Sequence, residues 1–196
     1  MRVLIACEES GTVRDAFAKA GHEVLSCDLQ PTASPGNHYQ GDVFDVIDYP
    51  WDLIVGHPPC THTSVSGARH FAEKEKDGRR YAGVAFFMRL WKARNHIPYC
   101  CFEQPISIMS RYFRPPDQII QPWQFGHGEV KSTCFWLKGL PPLEPTNVVE
   151  GREDRIHKMA PGPERARLRS KTYQGIADAM ASQWSSVLTP SENGNY

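Results

Sequence analysis

Short apolar segments alternate with amphipathic segments along the first half of the chain, and this alternation constrains the fold more than any other feature. Apolar runs of about four to eight residues are typical of buried strands, and apolar residues spaced by three and four indicate helices. The strands expected from this pattern are 2–6, 22–27, 52–56 and 98–102, and helices are expected to begin at Ser10 and at Tyr81. Strands that alternate with helices form a mostly parallel sheet with helices on both faces. The sequence therefore predicts an α/β fold.

The second half of the chain is less regular. Two apolar segments, 121–125 and 130–137, flank a glycine-containing turn and indicate a β-hairpin. A last amphipathic helix is expected over 173–188, and 189–196 is expected to be a disordered tail. The segments without a clear pattern are 61–80, which suits a polar loop or a frayed helix, 104–118, which suits an irregular connection, and 139–171, which is rich in proline and charge.

Length and composition limit the class of protein. The chain has 196 residues, of which 40% are hydrophobic, and this suits one domain with a packed core. The formal net charge of zero does not exclude nucleic acid, because local patches decide binding. No apolar run is long enough to cross a membrane, and the segment 2–6 is too short for a secretory signal. The six cysteines include no Cys-x-x-Cys pair, so we expect reduced thiols in a cytoplasmic protein. We also expect a monomer.

A cysteine and a glutamate follow two of the expected strands. The strand at 52–56 runs into His57, two prolines and Cys60, and the strand at 98–102 is followed by Glu103. Ligands in parallel α/β sheets bind beyond the carboxyl ends of the strands, so this thiol and this carboxylate are expected to face one pocket. The two prolines fix the backbone of the turn that carries the thiol. A thiol and a carboxylic acid are the groups needed to attack carbon 6 of a cytosine ring.

Three further strand ends carry groups that suit an adenosine-containing ligand. The first strand enters its helix through Cys7-Glu8-Glu9-Ser10-Gly11, where small residues and backbone N–H groups could cradle a ligand. Asp28 follows the second strand, where an acid suits the two hydroxyls of a ribose. Asp42, which precedes Val43, could accept a hydrogen bond from an exocyclic amine. Together these strand ends predict an adenosine site beside Cys60.

Each of these residues also has a plain structural explanation. Asp28 and Asp42 could be ordinary turn residues, and Cys60 could be a buried thiol, which is the commonest environment of cysteine. His57 and His62 flank Cys60, but their spacing fits no usual zinc pattern. We therefore predict no metal site.

The order of these residues resembles that of the cytosine-5 DNA methyltransferases, in the short form that phages and prophages carry without a large target-recognition domain. In that family a Pro-Pro-Cys turn supplies the nucleophile, and Pro58-Pro59-Cys60 matches it. The family's Glu-Asn-Val is matched by Glu103-Gln104-Pro105, in which only the glutamate is kept. The family's cofactor acids match Asp28 and Asp42, and of its Phe-x-Gly-x-Gly loop only Gly11 is kept.

Two later motifs of the family are matched less closely. The segment 173–177 resembles the last motif, which packs back over the cofactor. The family's Gln-x-Arg-x-Arg is missing, and Lys131 or Gln124 is expected to substitute for it. The resemblance implies a Rossmann-like methyltransferase domain over 1–188, in which the short basic, proline-rich insertion 139–171 takes the place of a target-recognition domain.

The resemblance also implies an activity and a cofactor. Cys60 would add to carbon 6 of cytosine, Glu103 would bind ring N3 and the exocyclic amine, and S-adenosyl-L-methionine would supply the methyl group for carbon 5. The cofactor-binding residues that it implies are Cys7, Glu8, Ser10, Gly11, Asp28, Leu29, Asp42, Val43, Pro58 and Gly175.

The implied partner is DNA, either a duplex with a flipped cytosine or a single strand, because a base inside a duplex is out of reach. The loop 61–80 is expected to act as a lid. The insertion is short, so sequence specificity should be short or relaxed, and an enzyme encoded by a phage would work in the cytoplasm of its bacterial host. The cations expected to contact DNA are Arg79, Arg80, Lys131, Arg165, Arg167 and Arg169.

Three other functions stay open from the sequence. The nucleophile could act on a free cytosine nucleotide or with a different one-carbon donor, and activity on dCMP without DNA would favour that function. An amino-methyltransferase is disfavoured, because Cys60 stands where such an enzyme needs an aromatic ring. The altered loop around Gly11 would suit a non-catalytic DNA-binding or anti-restriction relative of the family.

Overall fold

A computed structural model describes residues 1–160, 162 and 164–188. The tail expected over 189–196 lies outside the described residues. None of the helices in the described part of the chain has the length and apolarity that crossing a bilayer requires.

One mixed sheet of seven strands organises the domain, in the order β3-β2-β1-β4-β5-β7-β6. Strands β1 to β5 run parallel, and β7 runs antiparallel to both of its neighbours, β5 and β6. The predicted α/β class with a mostly parallel sheet is therefore confirmed. The strands are β1 Arg2–Ala6, β2 Glu23–Asp28, β3 His38–Gln40, β4 Leu53–Gly56, β5 Tyr99–Pro105, β6 Gln118–Ile120 and β7 Thr133–Lys138.

Helices cover both faces of the sheet, because the central strands are apolar on both sides. Along β1, Val3 and Ile5 pack into the core that includes Phe17 of α1 and Trp184 of α7. Leu4 and Ala6 of β1 face the other side of the sheet and pack into the core there, with residues of α3. The helices are α1 Thr12–Lys19, α2 Phe71–Lys76, α3 Arg79–Ala93, α4 Met109–Tyr112, α5 Arg155–Lys158, α6 Glu164–Ser170 and α7 Gln174–Leu188.

The hairpin before α7 exists, but the prediction placed its first strand too late. The first strand of the hairpin is β6, Gln118–Ile120, and the segment 121–125 instead contains a 3-10 turn over Pro122–Gln124. Pro122 has no N–H to give to a ladder, and the side chains of Gln121 and Gln124 cap the turn reciprocally. Local turn chemistry thus overrides the apolar pattern there.

The segment 104–118 is also more ordered than predicted. Strand β5 continues to Pro105, and α4 forms a single helical turn over Met109–Tyr112. Its four residues are too few to show a helical periodicity in the sequence.

Gly175 is required by packing at the start of α7. A Cβ atom at this position would lie 1.9 Å from the backbone oxygen of Phe125. Gly175→Ala should therefore lower the free energy of unfolding by about 1–3 kcal/mol, measured by urea denaturation. Gly162→Ala is the matched control, since a Cβ atom at Gly162 meets no atom of the described residues within 4 Å. Equal stability of the two variants would contradict this packing.

Candidate active site

The pairing of β4 with β5 brings the predicted thiol turn to the predicted carboxylate. Gly56 of β4 pairs with Phe102 of β5, so the next residues of the two strands, His57 and Glu103, are neighbours. His57 Nδ1 lies 2.9 Å from Glu103 Oε2. The backbone N–H of His57 donates to the oxygen of Ala6, which fixes the start of the turn to β1.

Cys60 occupies a rigid turn and is not part of the apolar core. Its carbonyl oxygen accepts from the N–H groups of Thr63, at 3.0 Å, and Ser64, at 2.9 Å. Its side chain is partly accessible, whereas Cys100 and Cys101 are buried. Cys60 belongs to neither of the hydrophobic clusters, so the thiol is placed by backbone hydrogen bonds and not by core packing.

Gln104 links the thiol turn to the carboxylate strand, and the sequence did not single it out as functional. This fully buried side chain donates from Nε2 to the oxygen of Pro58 at 3.2 Å. Its Oε1 accepts from the hydroxyl of Thr63, which is also fully buried. Gln104 thus holds both ends of the turn that presents Cys60. The signals for it in the sequence were its polarity beside a strand-end glutamate and its place in the segment that matches the family's Glu-Asn-Val.

Replacing Gln104 should weaken both stability and activity. Gln104→Leu leaves the buried oxygen of Pro58 unpaired, which should cost about 1–3 kcal/mol in the free energy of unfolding. The freed turn should also misplace Cys60 and lower any turnover. Urea denaturation and turnover are the measurements.

Gln118→Leu is the matched control for that variant. The side chain of Gln118 likewise makes two hydrogen bonds, in its case both to the backbone of Leu143, far along the chain from the thiol turn. Loss of stability without loss of turnover is expected in this control. Full turnover in Gln104→Leu would show that the bridge does not position the thiol.

His57 and Glu103 shift each other's pKa in opposite directions. Burial by itself would raise the pKa of Glu103, but the hydrogen bond and charge of His57 outweigh it, and the pKa is lowered. Burial by itself would lower the pKa of His57, but Glu103 outweighs it, and the pKa is raised. Both directions favour a carboxylate beside an imidazolium.

The thiol of Cys60 is harder to ionise than an ordinary cysteine. Its pKa is raised, first by burial and then by the negative charge of Glu103. Lys131 and Arg169 are the cations that oppose this shift. Attack by this thiol therefore needs its proton to be removed as a substrate binds.

The site is closed in this structure. A cavity of about 10 Å³ lies beside Glu103, lined also by Lys131, Thr133, Thr172, Tyr173, Ile176 and Met180. This volume suits at most one water molecule. A larger cleft of about 440 Å³ is lined by Glu153, Asp154, Arg155, Lys158 and Met159, and none of the strand-end residues contributes to it. A pyrimidine could enter beside Glu103 only if the hairpin connection and the segment before α7 move apart.

The predicted lid, 61–80, is bonded within itself and to the segment that follows β5. Within the lid, the buried Lys74 of α2 donates from Nζ to the oxygen of Thr61 at 2.6 Å. The N–H of Val65 donates to the oxygen of Ile106, and the N–H of Ile108 donates to the oxygen of Thr63. These bonds describe the closed position of the segment, and its opening stays a prediction.

The acids predicted to hold a cofactor, Asp28 and Asp42, lie at or just beyond the carboxyl ends of β2 and β3. Burial raises the pKa of the Cys7 thiol, and the negative charges of Asp28 and Asp42 raise it further, so the three groups are close. One oxygen of Asp28 accepts from the N–H of Gln30, and one oxygen of Asp42 accepts from the N–H of Phe44. Among the described residues, the second oxygen of each carboxylate has no partner and can accept from a ligand hydroxyl.

The loop between β1 and α1 departs from a simple ligand cradle. The buried Glu8 accepts from the N–H groups of Val13 and Arg14 and from the hydroxyl of Ser10, so it caps α1 from within the protein. Its neighbour Glu9 has a buried Oε1 atom without a hydrogen-bond partner among the described residues. Glu8 is thus occupied by the helix N-terminus, whereas Glu9 offers an unsatisfied carboxylate oxygen to a cationic ligand group.

Left-handed backbone marks both ends of that loop. Gly11 has φ 74°, and Cys7 has φ 59°, which is unusual for a residue with a side chain. The other predicted cofactor residues differ in access. Leu29 is 70% exposed, whereas Val43 is 4% exposed and packs in the core. Gly175 donates its N–H to His127 Nε2 at 3.0 Å, so packing accounts for this glycine.

Two of the predicted DNA contacts are engaged within the protein. Arg79 bonds to Asp77 and Glu73. Arg80 bonds to Glu75, lies over the ring of Phe71, and has a side chain that is only 12% exposed. The charge of Arg80 is paired and mostly covered in this conformation, and its contact with DNA stays a prediction.

The remaining cations lie on the hairpin connection and on α6. Lys131 lines the cavity beside Glu103 and donates to the oxygen of Lys171. Arg165 and Arg169 are one helical turn apart and share a face of α6, and the buried Nε of Arg165 has no partner among the described residues. Arg167 of the same helix is exposed. No group of three or more metal-ligating side chains occurs in the part of the chain that the structure describes.

Comparison with known proteins places the fold among methyltransferase structures. No family model and no curated protein matches the chain. The structure of the Entamoeba histolytica methyltransferase EhMeth is similar over 83% of this chain and 60% of that chain, with 13% identity and a TM-score of 0.52. A crystal structure of S. pombe Dnmt2 methyltransferase is similar over 81% of this chain and 54% of that chain, with 15% identity and a TM-score of 0.49. The chain spans 54% to 60% of the length of these proteins. At this identity the likeness shows the fold alone, a single Rossmann-like domain of the methyltransferase type.

Proposed function

We propose that this chain is an S-adenosyl-L-methionine-dependent DNA methyltransferase that adds a methyl group to carbon 5 of cytosine through a covalent Cys60 adduct. The observation that carries the proposal is the juxtaposition of Cys60 and Glu103 after adjacent parallel strands, where the charge of Glu103 reaches the thiol. The thiol lies in a turn held by backbone hydrogen bonds, as positioning of a nucleophile requires. The methyltransferase-type fold supports the same conclusion.

Each of the two groups has a distinct part in the reaction. Cys60, once ionised, adds to carbon 6 and makes carbon 5 nucleophilic. Glu103 binds ring N3 and the exocyclic amine, and protonation of N3 from this carboxyl stabilises the addition product. After transfer, loss of the proton on carbon 5 releases the thiolate and restores the ring.

The carboxylates of Asp28, Asp42 and Glu9 fit the groups that S-adenosyl-L-methionine presents. The free oxygens of Asp28 and Asp42 suit ribose hydroxyls and an exocyclic amine. The unpaired carboxylate oxygen of Glu9 suits an ammonium group. When bound, the cofactor would supply an electrophilic methyl group for carbon 5. The Glu8 cap replaces the glycines of the family's loop, so Ser10 and Gly11 would contact the cofactor through backbone.

DNA is the proposed substrate, read with short or relaxed specificity. Lys131 and Arg169, whose charges reach Cys60, are placed to neutralise phosphates near the target base. The cavity beside Glu103 is too small for a base until the site opens, so the target would be extruded or single-stranded. In the described part of the insertion 139–171 the helices are the short α5 and α6, which limits the surface available to read bases.

Transfer of labelled methyl groups from S-adenosyl-L-methionine tests the proposed function. Double-stranded DNA, single-stranded DNA and dCMP are offered separately, and the modified nucleosides are identified by mass spectrometry. 5-Methylcytosine in DNA supports the proposal. Label in dCMP alone would assign the site to free nucleotides, and DNA binding without cofactor binding would favour a non-catalytic relative of the family.

A further inference from the structure

His57 is a buried histidine beside the proposed acid, and the reaction as described so far does not use it. Its side chain is 11% exposed, that of Glu103 is 10% exposed, and Nδ1 lies 2.9 Å from the carboxylate. The two prolines that follow His57 and the bond from its N–H to Ala6 fix its backbone. The histidine is therefore held against Glu103 from a rigid segment.

Among the described residues, only Nδ1 of the His57 ring has a hydrogen-bond partner, and Nε2 is buried without one. The protonation state of an imidazole depends on the groups that its nitrogens bond to, and here that group is the Glu103 carboxylate. The single bond to Glu103 points to a role for His57 in the protonation of that carboxylate.

Charged groups from three elements face His57. Glu103 lies on β5, Glu8 lies on the loop after β1, and Lys131 lies on the connection between β6 and β7. The two carboxylates favour the imidazolium, and Lys131 opposes it. With Glu103 as the hydrogen-bond partner, the proton on His57 is retained to higher pH than in an ordinary histidine.

We propose that His57 is a positioning residue that stores the proton which Glu103 gives to ring N3 of cytosine. This inference rests on the proposed function and adds the source of the proton. The imidazolium releases its Nδ1 proton to the carboxylate, Glu103 passes one proton to N3, and the electron pair of the Cys60 thiolate forms the bond to carbon 6. The pair then consists of a neutral imidazole and a carboxylate. When the thiolate leaves at the end of the cycle, N3 returns the proton to the pair.

Nuclear magnetic resonance titration of the substrate-free protein tests the pair without any assay of activity. In Glu103→Gln the pKa of His57 should fall below the ordinary value of 6.5, because burial then acts without its counter-charge. Glu129→Gln is the matched control, since Glu129 bonds to Tyr173 and Arg155 and not to His57. An unchanged pKa of His57 in Glu103→Gln would overturn the inference.

The pH dependence of kcat/KM on DNA separates a stored proton from a structural role. His57→Asn keeps a donor near the position of Nδ1 but cannot titrate. The pair of His57 and Glu103 sets the alkaline limb of the profile, where the rate falls as the proton is lost. In His57→Asn this limb should move to lower pH, because Glu103 alone then holds the proton. The rate at neutral pH should drop by about tenfold for each pH unit of that displacement. A profile lowered equally at every pH would mean that His57 is only structural, and it would overturn the inference.

His62→Asn is the control for that profile, because His62 also flanks Cys60 and has a buried Nδ1 without a partner among the described residues. Its profile should keep the shape of the wild-type profile. If the wild-type protein transfers no methyl group to any substrate, the proposed function fails. The titration of His57 in Glu103→Gln then decides by itself whether the pair holds the proton.

Discussion

Cys60→Ser should abolish methyl transfer and should leave no covalent complex with DNA that contains 5-fluorocytosine. The wild-type protein should form that complex in the presence of S-adenosyl-L-methionine, because fluorine at carbon 5 blocks the elimination that releases the thiolate. Serine keeps the shape of the side chain but is a far weaker nucleophile, so turnover should fall by about 10⁴-fold or more. Denaturing electrophoresis of the complex and the labelled methyl assay are the measurements.

Cys100→Ala is the control for the loss of a thiol. Cys100 is buried near the start of β5, at the end of the strand opposite Glu103. This variant should lose stability but still form the covalent complex. Wild-type turnover in Cys60→Ser would show that another group attacks the base, and a complex in that variant would place the adduct on a different cysteine.

Glu103→Gln should lower kcat by about 10²–10⁴-fold while leaving the affinity for S-adenosyl-L-methionine nearly unchanged. Glutamine retains the size of the side chain and can still hydrogen-bond the base, but it has no proton to give to N3. Asp28 ends β2 and Asp42 precedes a 3-10 turn after β3, so neither is next to Glu103 in the chain or on its strand, and their contacts with the cofactor should persist. Single-turnover kinetics and calorimetric titration of the cofactor are the measurements.

The control for Glu103→Gln must separate catalysis from folding, because this buried carboxylate also neutralises His57. Circular dichroism and urea denaturation of the variant report any loss of structure. Glu129→Gln removes a nearby carboxylate that is bonded to Tyr173 and should change kcat little. Turnover in Glu103→Gln equal to that of Glu129→Gln would remove Glu103 from the reaction.

Several elements were predictable because their signals are local. The buried strands β1, β4 and β5 are runs of apolar residues, and α3 and α7 have a helical period of apolar side chains. The sequence pattern misplaced β6, the first strand of the hairpin, since Pro122 and two glutamines form a turn where the pattern indicated a strand. Apolar periodicity reports burial, and it does not report which backbone groups will be paired.

The candidate site was predictable only in outline. Strand ends predicted that Cys60 and Glu103 would meet, because parallel strands deliver their carboxyl ends to one edge. The partner of Glu103 was not predictable, since the contact with His57 depends on the register of β4 against β5. The burial of Arg80 between its partners likewise depends on how α2 docks beside α3.

The sequence by itself determined the class of fold, the strand ends that carry reactive groups, and the turn that two prolines stiffen, because each of these follows from neighbours along the chain. Only the tertiary structure decided which charges meet. It joined His57 to Glu103, tied the thiol turn to Gln104, and brought the charges of Lys131 and Arg169 near enough to act on the thiol. The physical reason is that electrostatic and hydrogen-bond energies depend on distances of a few ångströms, and strand register and helix docking fix those distances.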